Sequence, residues 1–271
     1  MSNVKLKVLV ADDAAAIHAL FRKMAEHSPI PFELLRAENG RECMDALARG
    51  GIHLAFIDVN MPEMSGMEAV GAARHAGNKT FVTLMSTVRV ERRLKVARQL
   101  KVYEFLKKPF AEADVMQILR TYRRVTTPVN ALIVDDSKTV RRIVQKVLTN
   151  SIFNIEVTEA GNGEAAVECC ESGDFDVVFV DCNMPGINGV ETLERLIEND
   201  PGAKVIMMTS ERNEERRRWA LDRGATAFLY KPFYARDIDR ELHALFGLRL
   251  PELTEEPEAA HLAAPKVTAG P

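Results

Sequence analysis

Short apolar runs alternate with longer amphipathic stretches along this chain, and the whole alternation occurs twice. Leu6–Ala11, Phe32–Ala37, Leu54–Ile57, Phe81–Met85 and Tyr103–Leu106 are short runs rich in aliphatic and aromatic residues, bounded by residues that favour turns. Runs of that length read as strands, and those without polar alternation read as strands buried on both faces. Between them apolar positions recur three and four apart: Ile17, Leu20, Phe21 and Met24 mark one helical face early in the chain. After the strand pattern Ala131–Val134, the positions Val140, Ile143, Val144, Val147 and Leu148 mark another. Five strand–helix units per half predict a parallel sheet covered by helices on both sides, the α/β class.

The two halves are in register. Adding 123 to a position in the first half gives its counterpart in the second. Asp12-Asp13 maps onto Asp135-Asp136, Asn39-Gly40 onto Asn162-Gly163, and Lys108-Pro109-Phe110 onto Lys231-Pro232-Phe233. Asp58, Asn60, Met61, Pro62 and Gly66 map onto Asp181, Asn183, Met184, Pro185 and Gly189, and Ser86 onto Thr209. An offset that holds from residue 12 to residue 110 without insertion is a tandem duplication. It predicts a first domain over 1–124, a short linker over 125–129 and a second domain over 130–250. Residues 251–271 shift to Pro, Glu and Ala and are expected to be a disordered tail. A short linker suggests docking between the domains, and a homodimer is an alternative use of the same surfaces.

Composition narrows the class. Apolar residues make up 46% of 271, enough for packed cores, with no run as long as a membrane span. The first residues lead straight into a strand pattern rather than a signal peptide, so a cytoplasmic, non-membrane protein is expected. Cys43, Cys169, Cys170 and Cys182 have no ligand-like spacing, and reduced thiols fit that location. The net charge of −3 hides an asymmetry of +6 over residues 1–127 against −6 over 128–250, the tail adding −3. Such opposite fields could aid docking or steer different partners, although scatter over two solvated surfaces is the simpler reading.

The chemistry follows from the fold. Open parallel sheets bind ligands at the carboxyl ends of their strands. Asp12-Asp13, Asp58, Ser86 and Lys108 end strands one, three, four and five; Asp135-Asp136, Asp181, Thr209 and Lys231 do so in the second half. Three converging carboxylates repel unless a cation joins them. Mg²⁺ suits a site of one or two carboxylates plus water and phosphate oxygens. A Lys and a hydroxyl beside them would meet phosphoryl oxygens, so the lone Asp is equipped to accept a phosphoryl group. Singly, each group has a plainer explanation: a helix cap, a turn, or a local backbone hydrogen bond. Their joint recurrence at identical spacing in both halves does not.

On these residues the chain resembles the CheY-like receiver domains of two-component response regulators, over residues 4–124 and 128–248. The resemblance implies two flavodoxin-like (βα)5 domains of strand order 2-1-3-4-5. It implies that Asp58 and Asp181 accept phosphoryl groups from a sensor histidine kinase. Asp13 and Asp136 would bind Mg²⁺ directly, Asp12 and Asp135 partly through water, and the backbone carbonyls of Asn60 and Asn183 would complete the set, with Mn²⁺ as a substitute ion. Ser86, Lys108, Thr209 and Lys231 would contact the phosphoryl group. Phe105 and Phe228 would be the switch aromatics, and the Lys108–Pro109 and Lys231–Pro232 bonds would be cis. The activity implied is signalling by phosphorylation-dependent protein contact, in chemotaxis, motility or a phosphorelay. No output domain and no catalysis beyond its own phosphorylation and dephosphorylation are expected. A phosphorylation-silent scaffold and an aspartate-nucleophile phosphatase are the alternatives; the phosphatase would want Asp-x-Asp after strand one.

The halves also differ. Beside the acceptors stand Asn60 and Val88 in the first, against Asn183 and Glu211 in the second, the pair that resembles rapidly dephosphorylating chemotaxis regulators. Ala14-Ala15-Ala16-Ile17 is small and apolar where Ser137-Lys138-Thr139-Val140 is polar and basic, which suggests unequal recognition of donors. Arg89, Arg92, Arg93, Lys95, Arg98 and Lys101 make a basic fourth helix. With no nucleic-acid reading module, a solvated or protein-docking face is expected there. Trp219, the single Trp, is expected to pack, with a partner interface as the alternative.

Overall fold

A computed structural model describes residues 5–88, 91–251 and 253, apart from the side chains of Glu91 and Arg92. The chain forms two compact units, one reaching Tyr122 together with the segment at Pro251 and Leu253, the other spanning Arg123–Leu250.

The first unit contains β1 (Leu6–Ala11), α1 (Ala15–His27), β2 (Phe32–Ala37), α2 (Gly40–Arg49), β3 (Leu54–Asp58), α3 (Gly66–His75), β4 (Phe81–Ser86), α4 (Glu91–Gln99), β5 (Glu104–Lys107) and α5 (Glu112–Thr126), α5 running past Tyr122. Its strands are all parallel, in the order β2-β1-β3-β4-β5. All five residues of β3 are buried, as a strand covered on both faces requires. Successive side chains leave opposite faces of the sheet. Leu9, Ala11, Ala55 and Ile57 therefore pack with Cys43, Leu47, Ala69 and Ala97 on one side, while Val8, Val10, Leu54 and Phe56 meet Phe21, Met24, Val115 and Leu119 on the other.

The second unit repeats the plan with β6 (Val129–Val134), α6 (Lys138–Leu148), β7 (Ile155–Ala160), α7 (Gly163–Ser172), β8 (Val177–Asp181), α8 (Gly189–Asn199), β9 (Val205–Thr209), α9 (Glu214–Asp222), β10 (Ala225–Tyr230) and α10 (Ala235–Leu245). Its parallel order, β7-β6-β8-β9-β10, is the same 2-1-3-4-5 arrangement. The two Asn-Gly pairs open equivalent helices: Asn39 caps α2 by accepting from the Glu42 N–H, and Asn162 caps α7 by accepting from the Ala165 N–H.

Local differences from the sequence expectation have physical causes. The first domain's fifth strand runs one residue later than Tyr103–Leu106, with the Tyr103 N–H bonded to the Val82 carbonyl of β4 (2.8 Å) just ahead of it. Helix α5 continues to Thr126 and β6 begins at Val129, so Thr127 and Pro128 alone lie between them. The Asn154 N–H donates to Val125 O and the Val129 N–H to Asn154 O, each at 2.8 Å, which orders the backbone on either side. Leu253, expected in a disordered tail, is 7% exposed; it packs in the core layer that contains Ala97 and accepts a hydrogen bond from Arg98 Nε (3.0 Å). Glu252 and residues 254–271 lie outside the described residues, as does Arg89. Among the described residues, no helix is long and apolar enough to cross a membrane.

Candidate functional site

Each sheet gathers the expected side chains at the carboxyl ends of its strands. In the first unit Asp12 and Asp13 follow β1, and Asp58 closes β3. Carboxylate oxygens of these three residues lie within 4.8 Å of one another. Lys108, just after β5, reaches into the cluster, its Nζ 2.6 Å from Asp12 Oδ2 and 3.0 Å from Asp58 Oδ2. Asp12 is fully buried and its Oδ1 accepts from the Ala14 N–H, while Asp13 is exposed. The second unit copies this: Asp135, Asp136 and Asp181 cluster within the same distance, and Lys231 Nζ stands 2.8 Å from Asp135 Oδ2 and 2.9 Å from Asp181 Oδ1. Asp135 Oδ1 accepts from the Ser137 N–H, and Asp136 is exposed.

The electrostatics match the geometry. Burial pushes the Asp58 carboxyl above its ordinary range, with Asp12 adding to the rise, and the hydrogen bonds from Lys108 and the Asn60 N–H offset this only in part. Asp181 is raised for the same reasons, with Lys231, Asp135 and the Asn183 N–H in the corresponding roles. Burial alone would lower Lys108 and Lys231, but their paired carboxylates outweigh it and hold both ammonium groups charged. Three carboxylates face one lysine in each cluster, so a negative excess remains. One exposed carboxylate beside two buried ones, all oxygen donors, fits a hard divalent cation that keeps part of its water shell.

The helix after each Asp58- or Asp181-bearing strand comes very close to it. A Cβ on Gly66 would lie 2.0 Å from Asp58 O, and one on Gly189 would lie 2.0 Å from Asp181 O. Only glycine admits that approach, which explains why both sequence repeats carry it.

The remaining expected residues are placed as follows. Ser86 and Thr209 are buried at the ends of β4 and β9. Each hydroxyl engages the following loop: Ser86 Oγ donates to Val88 O (2.7 Å), and Thr209 Oγ1 accepts from the Glu211 N–H (3.1 Å). Phe105 and Phe228 are half-buried against their cores. Lys108–Pro109 and Lys231–Pro232 are cis. The four cysteines are free, and burial pushes the Cys182 thiol, next to Asp181, up to about 11. Trp219 is 40% exposed with the Arg223 guanidinium stacked 3.6 Å from its ring centroid, so it does not pack inward.

One pair of residues at the site went unrecognised in the sequence. Arg93 Nη2 donates to Asn60 Oδ1 (3.3 Å), and Arg216 Nη1 donates to Asn183 Oδ1 (3.4 Å). Arg216 also contacts Glu211 Oε2 at 2.9 Å. The signal was available, since 93 and 216 obey the 123-residue offset, but Arg93 was absorbed into a general basic helix.

Two such clusters on two doubly wound sheets define a tandem array of aspartate-bearing receiver modules. A family model described as "Response regulator receiver domain" matches residues 8–120 and again 131–243, and the chain belongs to that family. The Escherichia coli (strain K12) nitrate/nitrite response regulator protein NarL is 35% identical over 116 residues, covering 43% of this chain and 54% of NarL. The chain thus spans about half the length of that relative. Chemotaxis protein CheY-3 of Vibrio cholerae (strain ATCC 39315 / El Tor Inaba N16961) is 38% identical over 117 residues, covering 42% of this chain and 89% of CheY-3. A crystal structure of a putative two-component system response regulator/GGDEF domain protein aligns with 89% of this chain and 100% of its own at TM-score 0.59; at 21% identity it speaks to the fold alone. The chain carries two tandem response-regulator receiver domains.

Proposed function

We propose that Asp58 and Asp181 each accept a phosphoryl group from the phosphohistidine of a sensor histidine kinase, and that the phosphorylated protein signals by binding another protein. The observation that carries this reading is the duplicated constellation itself, a buried carboxylate bonded to a buried lysine beside two further acids, at matching distances in both units. In the transfer, an Asp58 carboxylate oxygen forms the new P–O bond as the donor's P–N bond breaks, and the imidazole leaves with the electron pair. Lys108, already bonded to Asp58, would meet one phosphoryl oxygen, and Ser86 would give up its loop contact to donate to another. Lys231 and Thr209 do the same at Asp181. Asp12, Asp13 and the Asn60 carbonyl would hold Mg²⁺, or Mn²⁺, as would Asp135, Asp136 and the Asn183 carbonyl. That ion supplies counter-charge for the transferring group.

The residue spans 1–124 and 130–250 are the two functional modules of this reading, and its setting is the cytoplasm. A chemotaxis, motility or phosphorelay role, a kinase and a downstream protein partner belong with it; enzymatic output does not. The reading is tested by incubating the protein with acetyl phosphate, with Mg²⁺ or with EDTA, and resolving the products on a phosphate-affinity gel. Acid-stable, base-labile shifted species that need the metal support it. Folded protein that never shifts would favour the scaffold alternative.

A further inference from the structure

We infer that Arg93 is the side chain that binds the incoming anionic phosphodonor at the first site, and that Arg216 is withheld from this role at the second by Glu211. This rests on the reading that Asp58 and Asp181 accept phosphoryl groups.

The two arginines are the third residues of α4 and α9, each hydrogen-bonded to the side-chain oxygen of the Asn two residues past the acceptor. The backbone N–H of that same Asn bonds the acceptor carboxylate. One residue therefore links carboxylate to guanidinium in both units. A phosphodonor approaches a cluster that already carries three carboxylates and one lysine, and that lysine is bound to two of the acids. Repulsion between like charges opposes the encounter; a metal ion held by the acids would relieve part of it, and a guanidinium beside them relieves more. A guanidinium offers five donors in a planar fork that matches phosphate oxygens in pairs. Among the described residues, Arg93 makes one hydrogen bond, to a neutral amide, and keeps the rest of its fork available.

The second unit differs at one position. Arg216 is paired with the Glu211 carboxylate at 2.9 Å, where the first unit has Val88, 57% exposed and without charge. Glu211 shares Nη1 with Asn183 and sets a carboxylate beside the guanidinium, offsetting its pull on an incoming anion. The first site is thereby the better receiver of small or histidine-borne phosphodonors at low concentration.

The test measures initial phosphorylation rates against acetyl phosphate concentration at fixed Mg²⁺. Asp181→Ala isolates the first site and Asp58→Ala the second. In each reaction the phosphorus–oxygen bond to the acetyl group breaks, acetate leaves with the electron pair, and an acyl phosphate forms on the remaining Asp. In the Asp181→Ala protein, Arg93→Ala should raise the half-saturating concentration about tenfold, the worth of a charge-assisted hydrogen bond, with little change in maximal rate. Arg93→Lys should fall between, and Val88→Glu should resemble Arg93→Ala. In the Asp58→Ala protein, Glu211→Val should lower the half-saturating concentration only while Arg216 is present. The Arg93 effect should also shrink as ionic strength rises, because the group is partly exposed. An unchanged half-saturating concentration in Arg93→Ala, or a fall in maximal rate alone, overturns the inference and leaves the acceptor reading intact. No labelling of Asp181→Ala at any concentration overturns the acceptor reading for the first site and this inference with it.

Discussion

Replacing Lys231 by Met removes the lysine from the second cluster and leaves Asp135 and Asp181 without their shared partner. Their side chains are 2% and 11% exposed, and that of Lys231 is 20% exposed. Breaking a buried pair by deleting one member costs about 3–5 kcal/mol; partial solvent access and proton uptake by the acids place this case near 3 kcal/mol at pH 8. The cost depends on pH in a fixed direction. Burial already raises Asp181 above its ordinary range, and loss of the lysine raises it further. Stability gained from a raised carboxyl is complete below the unfolded value, near 4, and is lost as pH rises through the folded value. The deficit of Lys231→Met is therefore smallest near pH 4–5 and widens toward pH 8, by about 1.4 kcal/mol for each further unit of rise. A divalent cation held by Asp135, Asp136 and Asp181 would supply the missing charge. Mg²⁺ at ten times its dissociation constant adds about 1.4 kcal/mol to whichever form binds it, and the mutant gains more than wild type because it binds more tightly. Urea titration followed by Trp219 fluorescence reads the second unit selectively, since the chain has one Trp and it lies on α9. A deficit below about 1 kcal/mol, or one unmoved by pH and Mg²⁺, would show that the lysine packs rather than balances charge.

Three further outcomes follow from single positions. Gly189→Ala forces a methyl to within 2.0 Å of the Asp181 carbonyl, a backbone atom, so the same fluorescence titration should show a loss of about 1–3 kcal/mol together with slower labelling of Asp181. Asp239 is buried in α10, accepting from Ser151 Oγ and the Ile152 N–H, and burial pushes its carboxyl up to about 6. Wild type thus loses stability between pH 4 and 6 that Asp239→Asn keeps, and the difference between the two proteins should shift by roughly 2–3 kcal/mol in favour of the mutant from pH 4 to pH 7.5; a pH-independent difference contradicts it. Glu211 lies at the mouth of the second site where the first has Val88, so the phosphoryl group on Asp181 should hydrolyse faster than that on Asp58 when each is followed alone. Equal lifetimes refute that assignment.

The parallel sheets covered on both faces and the acid–lysine clusters were legible because a duplication prints each constraint twice, while the strand order came only with the family resemblance. A single Asp-Asp or Lys-Pro-Phe has many plain uses, whereas the same five groups at one offset have few. Gly66 and Gly189 were visible as repeated residues, but their reason is a 2.0 Å approach that only coordinates disclose. What stayed hidden depended on side-chain direction. The hydroxyls of Ser86 and Thr209 turn to the loops that follow them, a choice that spacing does not encode. Arg93 and Arg216 point back across the mouth of each site, although helical position alone allowed them to face solvent. Leu253 found apolar cover beside α4 despite lying in a Pro- and Glu-rich segment whose composition argues for disorder.

The central claim is that both aspartates are working phosphoryl acceptors. Intact-mass spectrometry after exposure to acetyl phosphate and Mg²⁺ tests it directly, with wild type, Asp58→Ala, Asp181→Ala and the double mutant side by side. Two phosphoryl additions in wild type, one in each single mutant and none in the double mutant are predicted. Additions that persist in the double mutant, or their absence from every protein while all remain folded, would contradict it.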